Sequence, residues 1–132
     1  MRLLLANWHR GIVGGAERYL QSLIPELLTR GHDVAVLHGV DAPPDQPTID
    51  PADAQLPAWC VGRLGVQGAL RAIDEWKPSV IYAHGSELPE LDEALVARYP
   101  AVMFAHGYYG TCETGSKCHS FPRPRPCART LG

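Results

Sequence analysis

The chain has 132 residues, 45% of them hydrophobic, and its 12 Lys+Arg against 14 Asp+Glu leave a formal net charge of −2. That length allows one domain at most, given roughly 100–200 residues per domain, and the apolar content excludes a disordered chain. The charge excludes a nucleic-acid binder driven by gross basicity, so no nucleic-acid partner is expected.

No apolar run approaches the ~20 residues of a membrane span or the core of a secretory signal, and a cytoplasmic chain is the expectation. Arg2–Ala6 is apolar at nearly every position, as in a strand buried on both faces. Asn7 to Gly15 is a loop containing Gly11, Gly14 and Gly15. Ala16, Tyr19, Leu20, Leu23, Ile24, Leu27 and Leu28 then recur at helical spacing. They predict an amphipathic helix that Pro25 should kink and that Gly31 closes with a left-handed cap.

Val34–His38 is the second strand. The stretch 39–57, with Pro43, Pro44, Pro47, Pro51 and Pro57, reads as an exposed connection. Ala58–Val61 is a short third strand, and Val66, Ala69, Leu70 and Ile73 form a shorter helix that ends before Lys77-Pro78. Val80–Ala83 is a strand running into His84-Gly85. The next helix starts near Pro89, a residue suited to a first turn, with Glu90, Asp92 and Glu93 at its positive end and Arg98 at its negative one. Ala101–Ala105 is another buried strand, ending at His106-Gly107.

Periodicity stops there. Residues 117–132 hold Lys117, Arg123, Arg125 and Arg129 without an acid, so a local +4 stands against −6 on the preceding 116 residues. Pro122, Pro124 and Pro126 exclude a helix or a central strand in this tail.

Short strands alternating with helical periods predict the α/β class: an open, mainly parallel, Rossmann-like sheet with helices on both faces. Ligands of such sheets bind outside the carboxyl ends of the strands. Three segments arrive there: Asn7–Gly15, His84-Gly85 and His106-Gly107. The glycine loop is neither the G-x-G-x-x-G of a dinucleotide site nor a P-loop. Gly14-Gly15 either packs the helix on the sheet through a tight turn, or leaves the helix start open to a phosphate or sugar. Glu17 complements the helix dipole in both cases. His84 and His106, each before a glycine, are either polar strand ends bonded to backbone or groups that exchange protons and donate hydrogen bonds near neutral pH.

Gly14-Gly15-Ala16-Glu17, an apolar helix, and Arg30-Gly31-His32-Asp33-Val34 together resemble the opening of the nucleotide-sugar glycosyltransferases of family 4. Lys77-Pro78-Ser79-Val80-Ile81-Tyr82-Ala83-His84 resembles their next landmark, and Val102-Met103-Phe104-Ala105-His106-Gly107 the third. The resemblance covers roughly residues 1–110 and, more loosely, the tail. It implies the N-terminal, acceptor-side half of a two-domain GT-B enzyme, with residues 1–110 as the Rossmann-like domain and 111–132 as a loop leading onward. The donor-binding domain would lie beyond Gly132, so the chain alone is expected to be inactive.

The implied partners are a nucleotide-sugar donor and a glycan, lipid or small-molecule acceptor, the lipid case bringing peripheral membrane contact. No cofactor or metal is implied. His106 matches a family histidine that contacts the transferred sugar, and is the expected catalytic residue. Gly14, Gly15, Glu17, His84 and Gly107 are the expected substrate-binding residues.

Cys112, Cys118 and Cys127 share the tail with His119, while Cys60 stands apart. Their spacing does not fit the C-x₂₋₄-C of common zinc sites, so loop thiols are expected ahead of a zinc site or a redox pair. Two other functions remain open to the sequence. One is a non-catalytic sugar-, nucleotide- or protein-binding module of the same fold; the other is a metal or redox module built on the cysteine tail.

Overall fold

The structure, a computed structural model, describes residues 1–104, 118, 119, 123, 125 and 126. In chain order the first elements are β1 (Arg2–His9), α1 (Gly15–Thr29), β2 (Asp33–Val40), β3 (Ala58–Cys60) and α2 (Val61–Trp76). They are followed by β4 (Val80–Ala83), α3 (Pro89–Arg98), β5 (Ala101–Met103), β6 (Cys118–His119) and β7 (Arg125–Pro126).

The first five strands form one open sheet in the order β3-β2-β1-β4-β5, and every pairing in it is parallel. This is the Rossmann-like α/β arrangement. The chain leaves β1 towards β2 on one side and later returns past it to β4 and β5 on the other. Parallel crossovers share one hand, so these opposite directions of travel put α1 on one face and α2 and α3 on the other.

The period-2 alternation of strand side chains divides the core accordingly. Leu4 and Ala6 of β1, Ala35 and Leu37 of β2, and Ile81 and Ala83 of β4 meet Ala69, Leu70 and Ile73 of α2 and Leu91 and Leu95 of α3. Leu5, Val34 and Val36 point the other way, against Leu20 and Ile24 of α1. Pro89 opens α3, as its fixed φ favours. Gly31, at φ 76, takes the left-handed turn after α1.

Several elements differ from the sequence reading, each for a local reason. β1 runs on to His9 because Asn7 and His9 continue the pairing with His38 and Val40 of β2. α1 continues as one helix through Pro25, whose side chain is exposed. The irregular backbone lies instead in α2, where Gly65 at φ 67 separates a first turn from the Val66–Ile73 segment. The Pro-rich connection is not merely exposed: Ile49 is fully buried in the α1-side core. β5 is shorter than Ala101–Ala105 and is not buried: it is the edge strand of the described sheet, and Val102 is 53% exposed. In the tail, β6 and β7 pair antiparallel as a separate two-residue ribbon, a setting that tolerates Pro126.

Candidate functional site

Ligands of open α/β sheets lie where strand order reverses direction, and here that point falls between β1 and β4. The loop leaving β1 and the end of β4 flank it. The loop is held by its own backbone and by the connection after β2. Arg10 donates to Asp50 through Nε at 3.0 Å and Nη2 at 2.7 Å. Ile12 N–H donates to the Pro47 carbonyl at 2.9 Å, Ile49 N–H to the Arg10 carbonyl at 3.0 Å, and Gln46 Nε2 to the Ile12 carbonyl at 2.8 Å. The buried Asp50 carboxyl would rise through desolvation, but its hydrogen bonds and charge pairing with Arg10 outweigh that and hold it below its usual value.

Glu17, 5% exposed, braces the other side of the loop. Its Oε1 accepts from Asn7 Nδ2 at 2.9 Å, and its Oε2 accepts from the Gly14 N–H at 2.8 Å. This is the N3-to-N-cap half of a capping box. Asn7 Nδ2 also donates to the His9 carbonyl at 2.8 Å, tying the end of β1 to the helix start. Desolvation pushes the Glu17 carboxyl up, yet the Asn7 bond and backbone N–H groups more than offset it, leaving the group below its ordinary value. Both oxygens are thus committed within the chain, and Glu17 shapes the loop from beneath.

Neither glycine ahead of it is required by backbone strain. Gly14 is extended, at φ −157 and ψ −159, a conformation open to any residue, and Gly15 does not have a left-handed φ. A Cβ on Gly15 would meet nothing within 4 Å among the described residues, and one on Gly14 only Glu17 Oε2 at 3.5 Å. The pair leaves a bare approach to the N-terminus of α1, where the first backbone N–H groups lack intrahelical acceptors.

On the β4 side, the His84 N–H donates to the Ala6 carbonyl and the Phe104 N–H to the Ala83 carbonyl, both at 2.8 Å. The ladder therefore places His84 and Phe104 side by side. Their rings stack at 5.5 Å between centroids, and Tyr82 meets His84 edge-on at 4.8 Å. Tyr19 of α1 completes the group, 6.0 Å from His84 and 6.2 Å from Phe104. Its hydroxyl lies 3.5 Å from that of Tyr82. Desolvation and that hydroxyl contact push Tyr82 up to about 12. Tyr19 and Phe104 are each 46% exposed, so the cluster presents ring surface outward. Gly85, at φ 95, turns the chain away from β4. The buried Ser86 follows, its N–H donating to Asp92 of α3 at 3.2 Å.

The expected residues thus divide. The structure places Gly14, Gly15 and Glu17 on one side of the switch point and His84 on the other, with Tyr19 joining α1 to the His84 cluster. His106 and Gly107 lie outside the described residues, as do Cys112 and Cys127. Sequence reasoning put Tyr19 in the core stripe and overlooked Asn7, Tyr82, Phe104 and the Arg10–Asp50 clamp. Tyr82 was accessible through strand alternation, since it stands two residues before His84 in β4 and so shares its face. Asn7 and Asp50 carry no comparable pattern.

Fold and switch point define a Rossmann-like domain, a class whose ligands bind at the carboxyl edge of the sheet. The family model for glycosyltransferase family 4 matches residues 13–129, and the chain belongs to that family. No curated protein and no solved structure matches it. Membership makes it a glycosyltransferase-family module, with sugar donor and acceptor as its general ligands. Among the described residues, no helix is long and apolar enough to cross a membrane.

Proposed function

We propose that this chain is the acceptor-side domain of a retaining, two-domain GT-B glycosyltransferase. It works with a separate donor-binding domain to move a sugar from a nucleotide-sugar to a glycan, lipid or small-molecule acceptor. The observation that carries the reading is the Gly14-Gly15 pair: among the described residues neither packing nor backbone strain calls for glycine there, whereas a ligand held close to the backbone does. Backbone N–H groups of Gly15 and Ala16 meet the donor diphosphate and stabilise charge developing on the leaving group. Glu17 is a positioning residue that holds the Gly14 turn.

The exposed rings of Tyr19 and Phe104, with His84, offer an apolar wall to one face of a sugar. His106, two residues along from Phe104, orients the transferred sugar and stabilises charge, while the departing phosphate takes the acceptor proton. Residues 1–110 form the binding domain and 111–132 lead out of it. The enzyme works in the cytoplasm and touches a membrane only where the acceptor is a lipid.

The test uses the chain joined to a family 4 donor-binding domain. His106→Ala lowers kcat by about 10²-fold or more, the scale of losing one positioned catalytic or charge-stabilising group, with Tm little changed. Near-normal turnover removes His106 from the mechanism. Gly15→Val abolishes transfer while the fold persists, because the added side chain meets nothing among the described residues. Full activity in that variant reduces the loop to a turn. Robust transfer by the 132-residue chain alone overturns the division of labour between domains.

A further inference from the structure

One cluster of side chains has no part in that reading. His38 lies in β2, Asp41 follows it, and Cys60 ends β3 as the N-cap of α2. We propose that His38 Nε2, a carboxylate oxygen of Asp41 and Cys60 Sγ form a site for a divalent cation of the zinc type at the carboxyl ends of β2 and β3.

Geometry supplies the first argument. Ligand atoms of the three residues all lie within 4.8 Å of one another. Zinc–nitrogen, zinc–oxygen and zinc–sulfur bonds of about 2.0–2.3 Å at tetrahedral angles put donor atoms roughly 3.3–3.6 Å apart. His38 Nε2 and Asp41 Oδ1 are 3.8 Å apart, so that pair closes with a shift of a few tenths of an ångström, and the whole set, within 4.8 Å, with side-chain movements of about 1 Å. The set of one nitrogen, one oxygen and one sulfur suits a borderline-soft ion and not magnesium or calcium. Three protein ligands leave one tetrahedral position for water or a ligand oxygen.

The second argument is the state of His38. Its Nδ1 lies 3.2 Å from the Val40 carbonyl, and because a carbonyl only accepts, Nδ1 carries the proton. Nε2 therefore presents a lone pair. That atom is buried, has no hydrogen-bond partner among the described residues, and belongs to a residue 1% exposed. A buried, unpartnered acceptor thus faces a carboxylate oxygen whose donor among the described residues, Arg63 Nη2 at 3.3 Å, comes from an exposed side chain, and a cation in its place would satisfy both acceptors. A backbone carbonyl on the far ring nitrogen is also how metal-binding histidines are commonly oriented. A second proton, on Nε2, would point at Asp41 Oδ1 across 3.8 Å, too far for a hydrogen bond.

The site is built on stiff backbone. The Trp8 ring fills the position where Gly39 would carry a Cβ, and the Gly39 carbonyl accepts the Cys60 thiol proton at 3.3 Å. On metal binding the Cys60 S–H bond breaks, a metal–sulfur bond forms, and one proton passes to solvent. The competitor is Arg63, which holds both Asp41 oxygens, Nε 3.1 Å from Oδ2 and Nη2 3.3 Å from Oδ1, and whose side chain is exposed enough to swing into water. Arg10, the other nearby cation, is already held by Asp50.

Cobalt(II) titration tests the proposal, in a chain carrying Cys112→Ser, Cys118→Ser and Cys127→Ser so that Cys60 is the one remaining thiol. One equivalent of cobalt is expected to bind, with tetrahedral ligand-field bands and a single-thiolate charge-transfer absorption. Cys60→Ala removes the charge-transfer absorption. Asp41→Asn, at a partly exposed position that spares the fold, weakens binding at least about 10-fold, since losing even an outer-shell partner costs roughly 10–100-fold. Arg63→Ala tightens it. No thiolate absorption in the folded triple variant, or an absorption that survives Cys60→Ala, overturns the site. Affinity unmoved by Asp41→Asn overturns the ligand set.

Discussion

On one face of the sheet, α2 and α3 together seal β2, β1 and β4, burying Leu37, Ala69, Ile73, Ile81, Leu91 and Leu95. On the other, α1 covers Leu5, Val34 and Val36 with Leu20 and Ile24, while Tyr82, His84 and Phe104 stand beside it with Tyr19 as half-exposed rings. The contrast separates two uses of apolar side chains. Aliphatic residues that interdigitate without exposure contribute stability through burial and packing. Aromatic residues left partly open at the carboxyl edge, beside a bare helix N-terminus, contribute less to stability and remain available to a ligand.

Core truncation gives the largest expected effect and the sharpest way to break that contrast. Leu91→Ala, on the sealed face, is expected to cost about 2–5 kcal/mol in denaturant unfolding. Phe104→Ala, on the open face, should cost under about 2 kcal/mol, as for a ring only partly withdrawn from water. Equal losses would make the aromatic group core, not surface.

Two glycines supply the next comparison. Gly39→Ala drives a methyl into the Trp8 ring and is expected to destabilise by about 1–3 kcal/mol, the usual range for overpacking. Gly15→Ala enters open space at a position without positive φ. It should leave stability unchanged or raise it by about 0.4–1 kcal/mol through the unfolded chain. A marked loss at Gly15 would show that the glycine is there for packing after all.

Glu17 tests what holds the loop. Glu17→Ala leaves the Asn7 amide and the Gly14 N–H without their acceptor, an expected loss of about 1–3 kcal/mol. The pH dependence has a definite sign. A folded-state value below the ordinary 4.5 means Glu17 contributes full stability above about pH 4.5. That contribution disappears as pH falls through the lower folded value. Stability measured from neutral pH into acid should therefore fall less steeply in Glu17→Gln than in the parent chain.

The smallest expected effect sits in the aromatic group. Tyr82 is held up to about 12, first by desolvation and then by Tyr19. Tyr19→Phe should bring its ultraviolet titration part of the way back towards 10, and should change stability by less than about 1 kcal/mol. A Tyr82 titration unmoved by that change would mean that the two hydroxyls do not interact.

Elements whose evidence is local were legible in the sequence. The stripe of α1, the β4 run at Val80–Ala83 and the Pro89 start of α3 depend on periodicity and on the φ of single residues, and the structure places them where the pattern does. The edges were less legible, because pairing decides them. β1 extends past Ala6 because β2 continues alongside it, and β5, at the edge of the described sheet, leaves Val102 and Met103 about half exposed.

For the candidate site, the sequence by itself brought the glycine pair and His84 to the carboxyl edge, because alternating strands and helices imply parallel strands whose ends share one side. Tertiary structure decided what surrounds them. Tyr19 left the core stripe for the edge because α1 packs on Leu5, Val34 and Val36, turning the stripe's margin towards Tyr82 and Phe104. Asp50 reached Arg10 across forty positions, and Cys60 reached His38 across the β2–β3 pairing. Helical and strand periods report which face a residue occupies within its own element. Contacts between elements follow from strand order and crossover, which bring together residues that no local spacing relates.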